Sequence, residues 1–157
     1  MVVLFGNIKT KYYLCGMKNR KAFYNYSVEE QYTAGIILKG DEVKSIRNGK
    51  CNFTDPFCIL TSNSIILKGL YVNKNNTFSP DETRDKVLLL NSKEIKKIRN
   101  KFIQKGYALI PLELIFVKGL VKIVIGVAKG RKTYDKKDVI KSKDIERDTK
   151  RELKNYK

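Results

Sequence analysis

The chain has 157 residues, enough for one domain with a sizeable core plus appendages. Its 33 Lys and Arg against 16 Asp and Glu leave a formal charge of +17, which points to a polyanion such as nucleic acid or an anionic membrane and argues against acidic partners. There is no histidine, so the commonest general base, the commonest metal ligand and every Ser-His or Cys-His arrangement are excluded.

The three cysteines, Cys15, Cys51 and Cys58, form no CxxC pair and no zinc spacing. They read as reduced thiols, and neither a structural disulfide nor a metal or other cofactor is expected. No apolar run reaches the length of a membrane span, so no membrane association is expected. Residues 1–18 read as an unanchored leader, foreign to the fold if Met17 is the natural start. Its apolar opening is too short for a signal-peptide core, and it lacks the serine and arginine richness of a transit peptide.

From Ala22 the chain is rich in aromatic and β-branched residues. Tyr24, Tyr26 and Val28 share one face of an alternating pattern, which predicts a strand continued by Tyr32 to Leu38 after a bulge. Asp41 is the expected N-cap of a short helix through Asn48, with Val43 and Ile46 inward, Lys44 and Arg47 outward, and Gly49 closing it. Residues 53–61 and 65–72 predict a hairpin. Residues 73–86 are a loop in which Asp81, Glu82 and Asp85 offset Lys74, Arg84 and Lys86. Val87 to Leu90 predict a short buried strand, in which alternation makes Leu89 core.

Asn91 and Glu94 have capping-box spacing and open a helix expected to reach about Lys105. Ile95, Ile98, Phe102 and Ile103 form its apolar stripe, and Lys93, Lys96, Lys97, Arg99, Lys101 and Lys105 lie outside it. Residues 107–117 and 121–129 predict the clearest hairpin, turned at Lys118-Gly119. Val121, Ile123, Ile125 and Val127 must face the core, and Pro111 predicts an edge or a bulge. The fold class is therefore mainly β: a small antiparallel closed barrel of oligonucleotide-binding type over 19–133, with two to three helices.

Lys129-Gly130-Arg131-Lys132-Thr133-Tyr134-Asp135-Lys136-Lys137 marks where the last strand runs out. The cations can neutralise phosphates, Tyr134 can stack a base, and Gly130 lets a partner's backbone approach. Residues 129–157 hold twelve cations and six acids. Ile145, Thr149, Leu153 and Tyr156 fall at helical spacing, so the basic tail 134–157 is expected to be disordered alone and helical when bound.

Three stretches together resemble one family. They are Ala34-Gly35-Ile36-x-Leu38-x-Gly40-x-Glu42-Val43-Lys44-Ser45-Ile46-Arg47-x-Gly49, Leu88-Leu89-Leu90-Asn91-x-x-Glu94-Ile95, and Lys129 to Lys137. In this order and spacing they resemble the small protein B (SmpB) family, the tmRNA-binding proteins of trans-translation, and Asn19-Arg20-Lys21-Ala22 is similar to that family's usual opening of the fold. The resemblance runs from about Asn19 to Arg151.

It implies a monomeric, non-enzymatic protein that binds the tRNA-like domain of tmRNA and carries it to the A site of stalled ribosomes. The tail would occupy the decoding centre and the empty mRNA channel of the small subunit. Elongation factor Tu and alanyl-tRNA synthetase would join through tmRNA. The tmRNA-contacting leucine and asparagine fall on Leu89 and Asn91, and the glycine-lysine-rich strand end falls on Gly130, Arg131 and Lys132. Tyr24, Lys44, Arg47 and Lys129 complete the tmRNA candidates. The ribosome-directed tail candidates are Tyr134, Asp135, Lys136, Lys137, Lys141, Lys143, Arg147, Lys150, Arg151 and Leu153. The compartment implied is a bacterial cytoplasm, with a plastid-type stroma as the alternative.

The chain departs from the family pattern at Thr33, where an acid is usual, at the charge-balanced loop 73–86, and at Lys137, where arginine is usual. The residues alone also admit a general single-strand RNA binder or ribosome-associated protein on a similar barrel, without tmRNA specificity, using charge and Tyr24, Tyr26, Tyr107 and Tyr134. A metal-dependent nuclease using Glu29, Glu30, Asp41 and Glu42 has no ligand spacing to support it.

Overall fold

The computed structural model describes residues 13–73, 83–104, 106–132, 145 and 147–149. Seven strands form one antiparallel sheet in the order β1-β6-β7-β2-β5-β4-β3. They are β1 (Tyr13–Lys18), β2 (Tyr26–Ile36), β3 (Cys51–Leu60), β4 (Ile65–Val72), β5 (Lys86–Leu89), β6 (Tyr107–Val117) and β7 (Leu120–Gly130). The sheet curls until β3 lies back against β6, which nearly closes the barrel. Helices α1 (Arg20–Asn25), α2 (Gly40–Arg47) and α3 (Ser92–Phe102) accompany it, and residues 145 and 147–149 are also helical.

β7 lies between β6 and β2, and both of its faces are buried along most of its length. Val121, Ile123, Ile125 and Val127 point into the main core, as their alternation predicts. Val124 and Ala128 point outward, where they pack with Ala22, Ile110, Leu112 and Ile115 in a second core beneath α1. Gly126 lies on that outward side, where a Cβ would stand 3.0 Å from both Leu112 Cδ1 and Val28 Cγ1. Pro111 sits at the register shift between β6 and β7, so its missing N–H interrupts no regular ladder.

Residues 20–25 are helical rather than the start of a strand. Asn19 is the reason. Its Oδ1 accepts the Ala22 N–H at 3.1 Å, its Nδ2 donates to Pro111 O at 2.9 Å, and its own N–H donates to Leu112 O at 2.7 Å. The expected bulge in β2 is present between Val28 and Glu30. Tyr13–Lys18 form the edge strand against β6, and Met17 packs on the core.

α2 begins two residues earlier than expected. Lys39 caps it, and Glu42 Oε2 reaches back to the Lys39 N–H at 2.7 Å. Gly49 follows with φ +71, a left-handed conformation suited to glycine. α3 ends at Phe102, and Ile103 is 74% exposed rather than part of the stripe. Only Ile98 of α3 is fully buried.

Candidate nucleic-acid interface

β5 decides where Leu89 faces. Lys86 and Leu88 point inward and are buried, whereas Val87 and Leu89 point to solvent. The expectation that residues 87–90 are a buried strand with Leu89 in the core is therefore corrected, since Leu89 is 56% exposed. Alternation gives two faces, and the shortness of β5 leaves the outer one uncovered. Gly35 is the register partner of Leu89, and a Cβ on it would stand 3.3 Å from Leu89 Cβ. Leu89 thus lies across the space that glycine leaves.

Asn91 follows two residues on, exposed at the N-cap of α3, with its N–H donating to Glu94 Oε2 at 2.9 Å. Gly35 also pairs with Lys122 of β7. Arg47 Nη2 donates to Gly119 O at 2.8 Å, tying α2 to the β6–β7 turn. Lys44 is exposed on the same helix. Leu89, Asn91 and the end of α2 therefore border one end of β2.

Behind this end stands a buried charge cluster that sequence reading missed. Glu42 has no solvent exposure and accepts from Arg84 Nε at 2.8 Å and from Arg84 Nη2. Burial works to raise the Glu42 pKa, but the hydrogen bonds from Arg84 and from the Lys39 backbone outweigh it and hold the carboxyl below its ordinary value. Lys86 is also fully buried, donating to Leu70 O and Arg84 O at 3.0 Å each. The loop cations Arg84 and Lys86 are thus directed into the protein, while Asp85 pairs with Lys68 at 3.1 Å. Lys74, Asp81 and Glu82 lie outside the described residues.

The other group of candidates sits at the opposite end of β2. Ser27 pairs with Lys129 and Tyr26 with Gly130, eight strand positions from Gly35, or roughly 25 Å. The structure therefore separates Leu89 and Asn91 from Lys129, Gly130, Arg131 and Lys132. Arg131 is half-buried, its N–H donating to Asn25 O at 2.8 Å and its Nε to Tyr26 O at 3.0 Å. A Cβ on Gly130 would meet nothing within 4 Å, so packing does not require glycine there. Lys132 is exposed, and Tyr24 is half-buried on α1 rather than on a strand.

Lys129 is engaged by neighbours. Its Nζ lies 3.4 Å from Glu29 Oε1 and 4.5 Å from the centre of the Tyr107 ring, while Tyr107 OH donates to Glu29 Oε2 at 2.7 Å. The hydrogen bond from Tyr107, then the Lys129 and Lys101 charges, hold Glu29 below the ordinary carboxylate value against the opposing effect of burial. The β2 bulge turns Glu29 and Glu30 toward α3, where Lys101 meets Glu30 at 2.7 Å and Glu29 at 3.5 Å.

The tail candidates Tyr134, Asp135, Lys136, Lys137, Lys141, Lys143, Lys150, Arg151 and Leu153 lie outside the described residues. Arg147 is exposed and helical, as are Ile145 and Thr149, whose Oγ1 donates to Ile145 O at 2.8 Å. Among the described residues, no cluster of three His, Cys, Asp or Glu could hold a metal, and no helix is long and apolar enough to cross a membrane.

The family model described as SmpB protein matches residues 16–155 of this chain, barrel and tail together. The chain belongs to the SmpB family. SmpB relatives include the SsrA-binding protein of Treponema denticola, 46% identical over 87% of this chain and 91% of that one. That of Fusobacterium nucleatum is 47% identical over 87% of this chain and 95% of its own. A solved SmpB structure, described as "tmRNA-SmpB: a journey to the center of the bacterial ribosome", superposes with a TM-score of 0.63 at 38% identity. It covers 74% of this chain and 85% of that one.

Proposed function

We propose that this chain is the tmRNA-binding factor of trans-translation, an RNA-binding protein rather than an enzyme. It binds the tRNA-like domain of tmRNA and delivers it to the A site of a stalled ribosome. The observation that carries the reading is the family match across residues 16–155, which takes in the barrel, Leu89 and Asn91, and the basic tail. The exposure of Leu89 beside Asn91 supports a contact role for both. Phosphates would be met by Lys44, Arg47, Arg131 and Lys132, with RNA shape recognised more than sequence.

The tail from Tyr134 to Leu153 would enter the decoding centre and the mRNA channel of the small subunit. Elongation factor Tu and alanyl-tRNA synthetase would act on the same tmRNA, and the compartment would be a bacterial cytoplasm, like that of the named relatives' organisms.

The test is competition binding of the full chain to the tRNA-like domain against ordinary tRNA and a hairpin of matched length at two salt concentrations. A preference of about tenfold or more supports the reading and shows that Thr33 is tolerated. Equal binding to all three, lost together on adding salt, refutes it in favour of a generic cationic RNA binder. Removing Tyr134 onward should abolish peptide tagging on stalled ribosomes and leave most tmRNA affinity intact.

A further inference from the structure

The two groups of candidate contact residues stand roughly 25 Å apart along β2, and α3 reaches from the first toward the second. Asn91, at the Leu89 end, is its N-cap. Lys101, in its last turn, is held by Glu29 and Glu30 beside Tyr107 and Lys129 at the other end. Eleven helical residues cover roughly 16 Å; the helix packs on β6 and β7, and Arg99 donates to the Thr61 and Ser62 carbonyls of the β3–β4 turn.

Its solvent side carries Lys93, Lys96, Lys97 and Asn100, all exposed. Lys93 and Lys96 make no ion pair or hydrogen bond among the described residues, and Lys97 lies close enough to Glu30 for its charge to help hold that carboxyl below its ordinary value. Some other surface cations are paired: Lys18 with Glu113, Lys21 with Asp55, and Lys68 with Asp85. The only acid of α3, Glu94, is spent on the Asn91 N–H. Positions three and four apart on a helix are about 5–6 Å apart at Cβ, so this is a continuous cationic strip rather than scattered charge.

We propose that the outward face of α3, through Lys93, Lys96 and Lys97, is a phosphate-binding track that joins the Leu89–Asn91 and Lys129–Lys132 contacts into one surface for the backbone of the tRNA-like RNA. The inference rests on the proposed function for the identity of that RNA. The strip is polar along its length, which suits a phosphate backbone; it starts beside Asn91 and points toward Lys101, which meets Glu29 next to Lys129.

The test uses the full chain and the tRNA-like domain of tmRNA across about 50 to 300 mM salt. K93Q/K96Q/K97Q keeps residues that favour helix. It should weaken binding roughly ten- to a hundredfold near 150 mM and flatten the log K against log salt slope by about 2. K93R/K96R/K97R should retain wild-type affinity. K18Q/K21Q/K68Q, which removes the same formal charge from lysines paired with acids, should change affinity by less than about threefold.

Equal effects of the two glutamine variants would overturn the proposal in favour of net charge. An unchanged α3 variant would overturn it too, as would one that loses only ribosome association or only binding to phosphatidylglycerol vesicles. If wild-type protein binds the tRNA-like domain and ordinary tRNA equally, the proposed function fails, while the comparison of variants on either RNA still decides the role of α3.

Discussion

Glu42→Gln should destabilise the barrel by about 3 kcal/mol, because it breaks a buried charged pair while leaving its partner in place. The carboxylate has no solvent exposure and accepts three donors: the Lys39 N–H and two nitrogens of Arg84. Glutamine keeps one acceptor oxygen but turns an NH2 group toward the guanidinium. Two charge-assisted bonds are thereby lost, each in the range of about 1.5–3 kcal/mol. Partial relief comes from water reaching Arg84, whose side chain is 23% exposed, so the lower half of the summed range is expected.

In urea unfolding at pH 7 the midpoint should fall with an unchanged m-value, and the melting temperature should drop by roughly 6–12 °C for a domain of this size. The pH dependence has a definite sign. Glu42 is held below its ordinary 4.5, so its contribution is complete above that value and is lost as pH falls through the lowered folded value. Wild type should therefore lose a component of stability in acid that Glu42→Gln has already lost. A change under about 0.5 kcal/mol, or identical acid profiles for the two proteins, would refute the reasoning.

Gly69→Ala should cost about 3 kcal/mol or more by urea titration. Gly69 has φ +75, and a Cβ there would lie 2.5 Å from Thr54 O and 2.8 Å from Pro56 Cα; a neutral result would mean that the β3–β4 irregularity relaxes freely. Gly130→Ala should leave stability within about 0.5 kcal/mol, since a Cβ meets nothing within 4 Å, yet weaken RNA binding severalfold by holding a partner's backbone off. Unchanged binding in a direct titration would show that the glycine serves neither. Burial pushes the Cys58 thiol up to about 12, so at pH 8 a disulfide reagent should modify it only at the rate of unfolding, read by mass spectrometry. Rapid native-state labelling would mean that the barrel interior opens locally.

Local pattern was enough for the elements whose signals are long and regular. The period-two run Val121, Ile123, Ile125, Val127 specified the inner face of β7, and Asn91 with Glu94 specified where α3 begins. Charge named a polyanion, and three spaced motifs named a family without any coordinate. What the sequence by itself determined was thus the strand hairpins, the main helix and the class of partner.

Tertiary structure decided whatever depends on distant neighbours. α1 is only six residues long, too short to announce itself, and it is capped by Asn19 anchored to Pro111, 92 residues away. Arg84 and Lys86 look like ordinary loop cations until Glu42, 42 residues earlier, and the Leu70 carbonyl draw them inside. Leu89 alternates like a core residue, yet the sheet leaves its face uncovered. Alternation says that two faces differ, and only the packing of the whole barrel decides which of them meets water.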